Sequence, residues 1–242
     1  GPRSTAWLAE IGVQTEDDLR AMGSVEAYCL VKAQQDGASL NLLYALEGAL
    51  QARPWNAFTP EEKAAQLLYN APAIERLGIP AYNWWNECLH GVARNGLATV
   101  FPQAIGMAAM FDTAQISRIA TAISDEARAK YHLAVQNNKH GIYQGLTFWT
   151  PNINIFRDPR WGRCMETYGE DPFLTTRIGV AFVKGLQGDH PKYLKAAGMA
   201  KHYAVHSLPE WSRHELNLNN VNPMDLYETY LPAFKALVRD AG

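Results

Sequence analysis

The 242-residue sequence lacks a long apolar run, a basic block, an export-like start and more than three cysteines, and each gap argues against a class of function. No uninterrupted apolar stretch reaches the length a bilayer demands, so no membrane partner is expected. The opening residues, Gly1-Pro-Arg-Ser-Thr-Ala-Trp, hold no apolar export core, which makes a soluble, cytoplasmic chain the default expectation. Cys29, Cys88 and Cys164 are scattered and odd in number, arguing against a disulfide framework, and no Cys-x-x-Cys pair marks a zinc ribbon. A net charge of −2 without basic clusters leaves no electrostatic footprint for nucleic acid at the level of the whole chain. What is present is 48% hydrophobic and 11% aromatic, enough for a packed core. Seven Trp and eleven Tyr suit either that core or the ring-stacking wall of a carbohydrate site.

The first 55 or so residues read as a bundle of short helices. Trp7, Leu8 and Ile11 follow helical spacing over 4–11, with Ser4 or Thr5 as cap. Gly12-Val13 makes a turn, and Thr15 to Met22 forms a second helix whose acids favour its positive N-terminal end. Gly23 stops it. Ser24 opens a third helix with Tyr28 and Leu30 inward, and Ser39 to Leu50 forms a fourth. The pattern changes near Pro54–Pro60, where Thr59-Pro60-Glu61-Glu62-Lys63 carries a capping-type helix start. Strands and helices then alternate. Strands are expected at 79–85, 145–155 and 196–205, and helices at 113–137, 172–187 and 224–240. Repeated strand-then-helix units imply parallel strands with crossover helices.

The stretch from Trp149 to Pro172 concentrates the chemistry. A strand there empties into a loop carrying Asp158, Arg160, Trp161, Arg163, Glu166, Tyr168, Glu170 and Asp171, the kind of strand end from which a barrel enzyme builds a site for a polar ring. With Lys201-His202-Tyr203 it points to sugar cleavage. Asp158, Arg160 and Glu166 are expected to lock the loop through bidentate arginine–carboxylate pairs, and Glu170-Asp171-Pro172 to cap the following helix. Glu87, just past the first strand, can accept sugar hydroxyl hydrogens or sit in a surface ion pair. Trp84 and Trp85 can wall the pocket, one of the two being core. His202 and His206 stand four apart without a helix to align them, so no metal is expected. His206, Arg213 and His214 read as loop scaffolding.

Two resemblances organise these features. Residues 1–55 resemble the C-terminal domain of TfoX-type competence regulators, through Gly1-Pro-Arg-Ser-Thr-Ala-Trp-Leu-Ala-Glu-Ile-Gly-Val, Asp18-Leu-Arg-Ala-Met-Gly and Ser39-Leu-Asn-Leu-Leu-Tyr-Ala-Leu-Glu-Gly-Ala-Leu. The helix–Gly-Val–helix element is similar to a helix-hairpin-helix, whose loop amides can hold a phosphate; a plain interaction module is the other reading. Arg3, Arg20, Lys32 and Arg53 are sparse for a DNA surface, which leaves nucleic acid as a minor partner class of residues 1–55. From about residue 58, four segments resemble the N-terminal barrel domain of glycoside hydrolase family 3, in its β-xylosidase and β-glucosidase-like members. They are Leu77-Gly-Ile-Pro-Ala-Tyr-Asn-Trp-Trp-Asn-Glu-Cys-Leu-His-Gly-Val, Phe101-Pro-Gln-Ala-Ile-Gly-Met-Ala-Ala, Arg157 to Pro172, and Lys201-His-Tyr-Ala-Val-His. Leu208 departs from the glycine usual after His-Ser in that family's loop.

The resemblance implies an α/β chain in which a small all-α domain (1–56) precedes a partial (β/α)8 barrel (57–242), with the join between Trp55 and Gln66. It implies that Arg163, Lys201 and His202 bind sugar, together with Glu87 and Trp85, without a cofactor. The implied reaction is retaining hydrolysis at β-linked xylosyl or glucosyl termini, with an oligosaccharide or aryl glycoside as partner. The family's aspartate nucleophile lies in a later Ser-Asp-aromatic motif, expected beyond Gly242, and no residue here is assigned as catalytic; Ser124-Asp125-Glu126 falls mid-helix. Two further expectations follow: little turnover by these residues alone, and self-association through an unclosed sheet edge. The competing reading is a non-enzymatic helical regulator carrying a passive sugar-binding half-barrel.

Overall fold

The computed structural model describes residues 2–52, 54, 57–209, 211, 212, 215 and 217–242. It divides into two compact units, Gly1–Ala81 and Tyr82–Gly242. The expectations placed on Arg53, Trp55, Arg213 and His214 lie outside the described residues.

The first unit is helical through residue 50: α1 (Pro2–Glu10), α2 (Glu16–Met22), α3 (Ser24–Gln34) and α4 (Leu40–Leu50), followed by α5 (Pro60–Gln66), a two-residue strand β1 (Asn70–Ala71) and a 3-10 turn. Its core is Val13, Leu19, Ala27, Val31, Ala38, Leu42 and Leu46. Thr15 caps α2 reciprocally with Asp18, and Gly23, at φ 86°, ends it in a conformation that favours glycine. Two expectations need correction. α1 already runs from Pro2, so Ser4 and Thr5 lie inside the helix rather than capping it. Leu30 is 39% exposed, because Ala27 and Val31, one helical turn apart, are the residues of α3 that face the core. Thr59 and Glu62 form a second capping box at α5. Thr59→Ala is therefore expected to cost about 1 kcal/mol, read as a lower urea midpoint of this unit with an unchanged slope.

The second unit contains β2 (Tyr82–Asn83), α6 (Ala104–Ala108), α7 (Thr113–Gln136), β3 (Thr147–Phe148), α8 (Pro172–Gln187), β4 (Ala197–Gly198), α9 (Pro223–Asp225) and α10 (Pro232–Asp240). β3 pairs with β4 in parallel, Thr147 opposite Ala197 and Phe148 opposite Gly198. Parallel bridges join Asn86 to Phe148 and Asn152 to Lys201. Three neighbouring chain segments thus run the same way, with α7 crossing between the first two and α8 between the last two, which is the expected strand–helix alternation.

Both long helices end where the sequence signals it. Asp112 caps α7 by accepting from Gln115 N, and Asp171 caps α8 by accepting from Leu174 N with Pro172 in the first turn. Gly188, at φ 74°, closes α8. Ile116, Ile119, Ala120, Ile123 and Ala127 of α7 meet Ile178, Phe182, Val183 and Leu186 of α8 in one core with Phe148 and Ile153. A Cβ on Gly185 would lie 2.4 Å from the Ser117 carbonyl oxygen, so glycine lets the two backbones touch.

The strands are shorter than the sequence implies. Of 145–155 only Thr147–Phe148 is regular ladder; Pro151 has no N–H to donate, and beyond β3 the backbone bonds continue irregularly, Met199 N donating to Thr150 O, Lys201 N to Pro151 O and Ile153 N to Lys201 O. The segments expected at 79–85 and 196–205 shrink to two residues each in the same way. The single helix expected at 224–240 is also broken. Leu226–Tyr230 forms a π-turn closed by Leu231 N donating to Leu226 O at 2.9 Å, and Pro232 restarts the α-helix.

Candidate active site

The site is assembled at the ends of three parallel segments, and a buried asparagine joins the first two. Asn86 donates from Nδ2 to the carbonyls of Asn83 and Thr147, each at 3.0 Å, and its Oδ1 accepts from Gly145 N at 2.7 Å. Its backbone carbonyl accepts from Trp149 N at 2.9 Å. A side chain at Gly145 would begin 2.6 Å from Asn86 Nδ2, so glycine is required for this clamp. Tyr82 adds a second tie, its hydroxyl accepting from Leu146 N at 2.7 Å. These bonds stack the Trp85 ring on Trp149, centroids 5.1 Å apart and planes 22° apart. Trp84 turns the other way, edge-on to Tyr82. Neither Trp84 nor Trp85 is core, contrary to the sequence reading: both remain partly exposed because the turn after β2 holds them at the surface of the sheet end.

Glu87 follows directly. Its Oε1 lies 2.6 Å from Lys201 Nζ, and its Oε2 accepts from Thr150 Oγ1 at 3.2 Å. The Lys201 side chain is 15% exposed and that of Glu87 25%, so each charge is largely withdrawn from water and balanced by the other. The ion pair foreseen for Glu87 therefore exists, but its partner is the other sugar-binding candidate. Lys201 is fixed by backbone bonds to Pro151 and Ile153, and the Thr150–Pro151 and Lys201–His202 peptides are cis.

At the next residue, the His202 ring sits with Nε2 3.3 Å from Arg163 Nη1. Arg163 makes a bidentate pair with Glu166, at 2.8 and 2.6 Å. Glu87–Lys201 and His202–Arg163–Glu166 thus form two polar groups, joined through the adjacent residues Lys201 and His202. Asp158 and Arg160 form a separate bidentate pair at 2.9 and 2.6 Å at the loop's outer turn, where Arg160 is 72% exposed. Trp161 and Tyr168 anchor the loop as fully buried side chains. His206 packs between His202 and Trp161, 4.6 and 5.8 Å centroid to centroid. Among the described residues no group of three or more His, Cys, Asp or Glu is placed to hold a metal ion. No described helix is long and apolar enough to cross a membrane.

Burial and charge sort the titratable groups. Burial, with the Glu87 carboxylate next, pushes the Cys88 thiol well above its ordinary range, which argues against a nucleophilic role for it. Burial also raises Tyr168 and Cys164. The Asp158 carboxyl is held down to about 2, first by the Arg160 side chain and then by the Arg160 backbone N–H. A lowered folded-state value means that this pair supports the loop above the ordinary carboxylate value of 3.8, and that its support is lost as pH falls through about 2. A carboxyl-carbon NMR titration is expected to place the Asp158 midpoint near 2, with Arg160→Ala returning it towards 3.8.

In the helical unit, the hairpin amides of Gln14 and Thr15 both donate to Asp18 Oδ2, at 3.0 and 2.8 Å. Glu16, Asp17 and Asp18 fill the first turn of α2. That end is occupied and acidic, so the phosphate-holding role suggested by its likeness to a helix-hairpin-helix is not favoured. In the other unit, Ser124-Asp125-Glu126 is structural: Ser124 bonds back to Thr121 O, Asp125 pairs with Lys195, and Glu126 accepts from Thr99.

The sequence reading named Glu87, Trp85, Arg163, Lys201 and His202; the structure pairs Glu87 with Lys201 and His202 with Arg163, and places Trp85 two positions before Glu87, stacked on Trp149. It missed Asn86, Trp149, Thr150 and Asn154. Asn152 and Asn154 were the available signal, two amide side chains of one parity alternating with Ile153 and Ile155 at the end of the expected strand.

Comparison with known proteins gives matches to two families. Residues 49–242 match the glycosyl hydrolase family 3 N-terminal domain, and residues 1–70 match the TfoX C-terminal domain. The chain is 52% identical over 186 residues to a xylan 1,4-beta-xylosidase of Xylanibacter ruminicola, an alignment covering 76% of this chain and 22% of that protein. Among solved structures, it superposes on a GH3 exo-beta-xylosidase in complex with a xylobiose aziridine activity-based probe, with TM-score 0.65 and 37% identity, covering 76% of this chain and 24% of the other. It also superposes on the GH3 beta-glucosidase of Bifidobacterium adolescentis, with TM-score 0.61 and 28% identity, covering 77% and 25%. The chain spans about a quarter of the length of these relatives.

Proposed function

The chain belongs to glycosyl hydrolase family 3 through residues 49–242, and from that premise we propose that its second unit grips the terminal sugar of a β-linked xyloside or glucoside. The observation that carries this reading is the pair of contacts Glu87–Lys201 and His202–Arg163, on the same segments as the stacked Trp85 and Trp149. A sugar ring offers hydroxyls that donate and accept, and an apolar face. A lysine ammonium and an arginine edge give strong donors, a carboxylate gives an acceptor, and the paired indoles give a flat surface. The Glu87–Lys201 and Arg163–Glu166 pairs hold these groups in place before the ligand arrives, which lowers the ordering cost of binding.

In this reading the second unit is part of a (β/α)8 barrel, and retaining hydrolysis belongs to the whole architecture. A retaining enzyme needs two carboxyl groups about 5 Å apart across the scissile bond. Residues 1–242 contain no Ser-Asp-aromatic motif, and Glu87 is committed to Lys201 and Thr150. The 242 residues supply the sugar grip, and a nucleophile in the same protein would turn that grip into catalysis. Calorimetric titration with xylose and with glucose, run beside release of nitrophenol from an aryl β-xyloside, tests both halves. Saturable binding with negligible turnover is expected. Absence of binding would remove the sugar-site reading, and sustained turnover would locate a nucleophile among these residues.

A further inference from the structure

Asn154 is 2% exposed and carries a set of hydrogen bonds that the sugar reading alone does not use. Its Oδ1 accepts from the His202 backbone N–H at 2.7 Å. Its Nδ2 donates to the carbonyls of His202, at 2.8 Å, and Ala204, at 3.0 Å. A backbone N–H can only donate and a backbone carbonyl can only accept, so three main-chain groups fix which end of the amide is oxygen. The same Oδ1 lies 3.0 Å from His202 Nδ1. Facing an oxygen that has no hydrogen, Nδ1 must carry the proton. In the neutral ring Nε2 is then a lone-pair acceptor, and the group 3.3 Å away is Arg163 Nη1, a guanidinium nitrogen that only donates.

We propose that Asn154 is a positioning residue which, by fixing the Nδ1–H tautomer of His202, makes the imidazole an acceptor for Arg163 and so aims the guanidinium at the sugar. Glu166 holds the Nε and Nη2 edge of that guanidinium and His202 holds Nη1, so the planar group is gripped from two sides. With the opposite tautomer, an Nε2–H would point at Arg163 Nη1, donor against donor, and the arginine would lose that support. The chain of cause runs from a buried amide to a ring, then to a charged fork and to the ligand. The aiming step rests on the sugar reading given above; the tautomer does not.

The test is the nitrogen-15 NMR spectrum of the full chain, with the His202 ring signals assigned by their loss in His202→Gln. The expected result at neutral pH is a protonated Nδ1 and an unprotonated Nε2. An Nε2–H tautomer, or a doubly protonated ring, overturns the proposal. Asn154→Ala is expected to shift the ring towards Nε2–H and to weaken xylose binding about tenfold, while adding little in an Arg163→Ala background. A shifted tautomer with unchanged xylose affinity would overturn the aiming step. If Asn154→Ala fails to fold, the wild-type spectrum still decides the tautomer. If the wild-type chain binds no sugar, the sugar reading and the aiming step fall together, and the same spectrum shows whether the tautomer stands without them.

Discussion

Replacing Lys201 by alanine is expected to weaken xylose binding by about ten- to a hundredfold, the range for losing a charge-assisted hydrogen bond. The loss has two parts. The ligand loses an ammonium donor, and Glu87 loses the cation 2.6 Å from its Oε1, leaving a carboxylate that is 25% exposed with Thr150 as its remaining described partner. An unpaired, half-buried carboxylate attracts water and resists a sugar hydroxyl that would have to displace it. Lys201→Arg is not expected to rescue binding, because the planar fork spreads its charge and cannot place a compact donor at the Nζ position. Fold stability separates the two parts. In the double change Lys201→Ala with Glu87→Gln the stability cost shrinks, while the affinity stays low. Calorimetry and urea melts on the same preparations read both.

Phe182→Ala should produce the largest loss of stability, about 3–5 kcal/mol, the range for truncating a buried aromatic in a core that cannot collapse. Phe182 is fully buried, in a core cluster that draws on both long helices and on β3. α7 and α8 already approach closely enough at Gly185 for the Ser117 carbonyl to exclude a methyl group. With the backbones in contact there, the helices cannot slide together to fill the space a lost ring leaves. Set against a typical total of about 5–15 kcal/mol, such a loss leaves the second unit marginal. Amide hydrogen exchange should show protection falling together across 113–136 and 172–187, with residues 16–50 unaffected. A loss confined to the turn of helix around Phe182 would mean that the two helices do not share one core.

The same physics explains which parts of the chain were legible in its sequence. α7 and α8 could be read to within a residue because Asp112, Asp171-Pro172 and Gly188 are local signals, and their apolar stripes repeat with helical period. The strands could be located but not measured. Their apolar runs mark burial, whereas the length of a ladder depends on what both segments offer, and after β3 Pro151 breaks the regular register, leaving an isolated Asn152–Lys201 bridge. The break at Leu226–Tyr230 was hidden for a similar reason: Pro232 was visible, but the i→i−5 closure that accommodates it was not.

In the site, the charged residues stood out as an unusual cluster at a strand end, and their likeness to a known family gave them roles. Asn86 did not stand out, and Asn154 stood out only by sharing parity with Asn152. An asparagine carries no such signature until its amide is seen to bind backbone groups 48 to 61 residues away, Thr147 O and Gly145 N for Asn86, and the His202 N–H with the His202 and Ala204 carbonyls for Asn154. Trp84 and Trp85 show the converse: two adjacent aromatics suggested one in and one out, and the Asn83–Asn86 turn instead keeps both accessible.

The central claim is that residues of the second unit form a grip for a pyranose ring, and protein-observed NMR during titration with methyl β-D-xylopyranoside tests it most directly. Saturable shifts are expected at Trp85, Glu87, Trp149, Arg163, Lys201 and His202, with residues 2–50 unmoved. Shifts scattered over the surface, or centred on the helical unit, would contradict it.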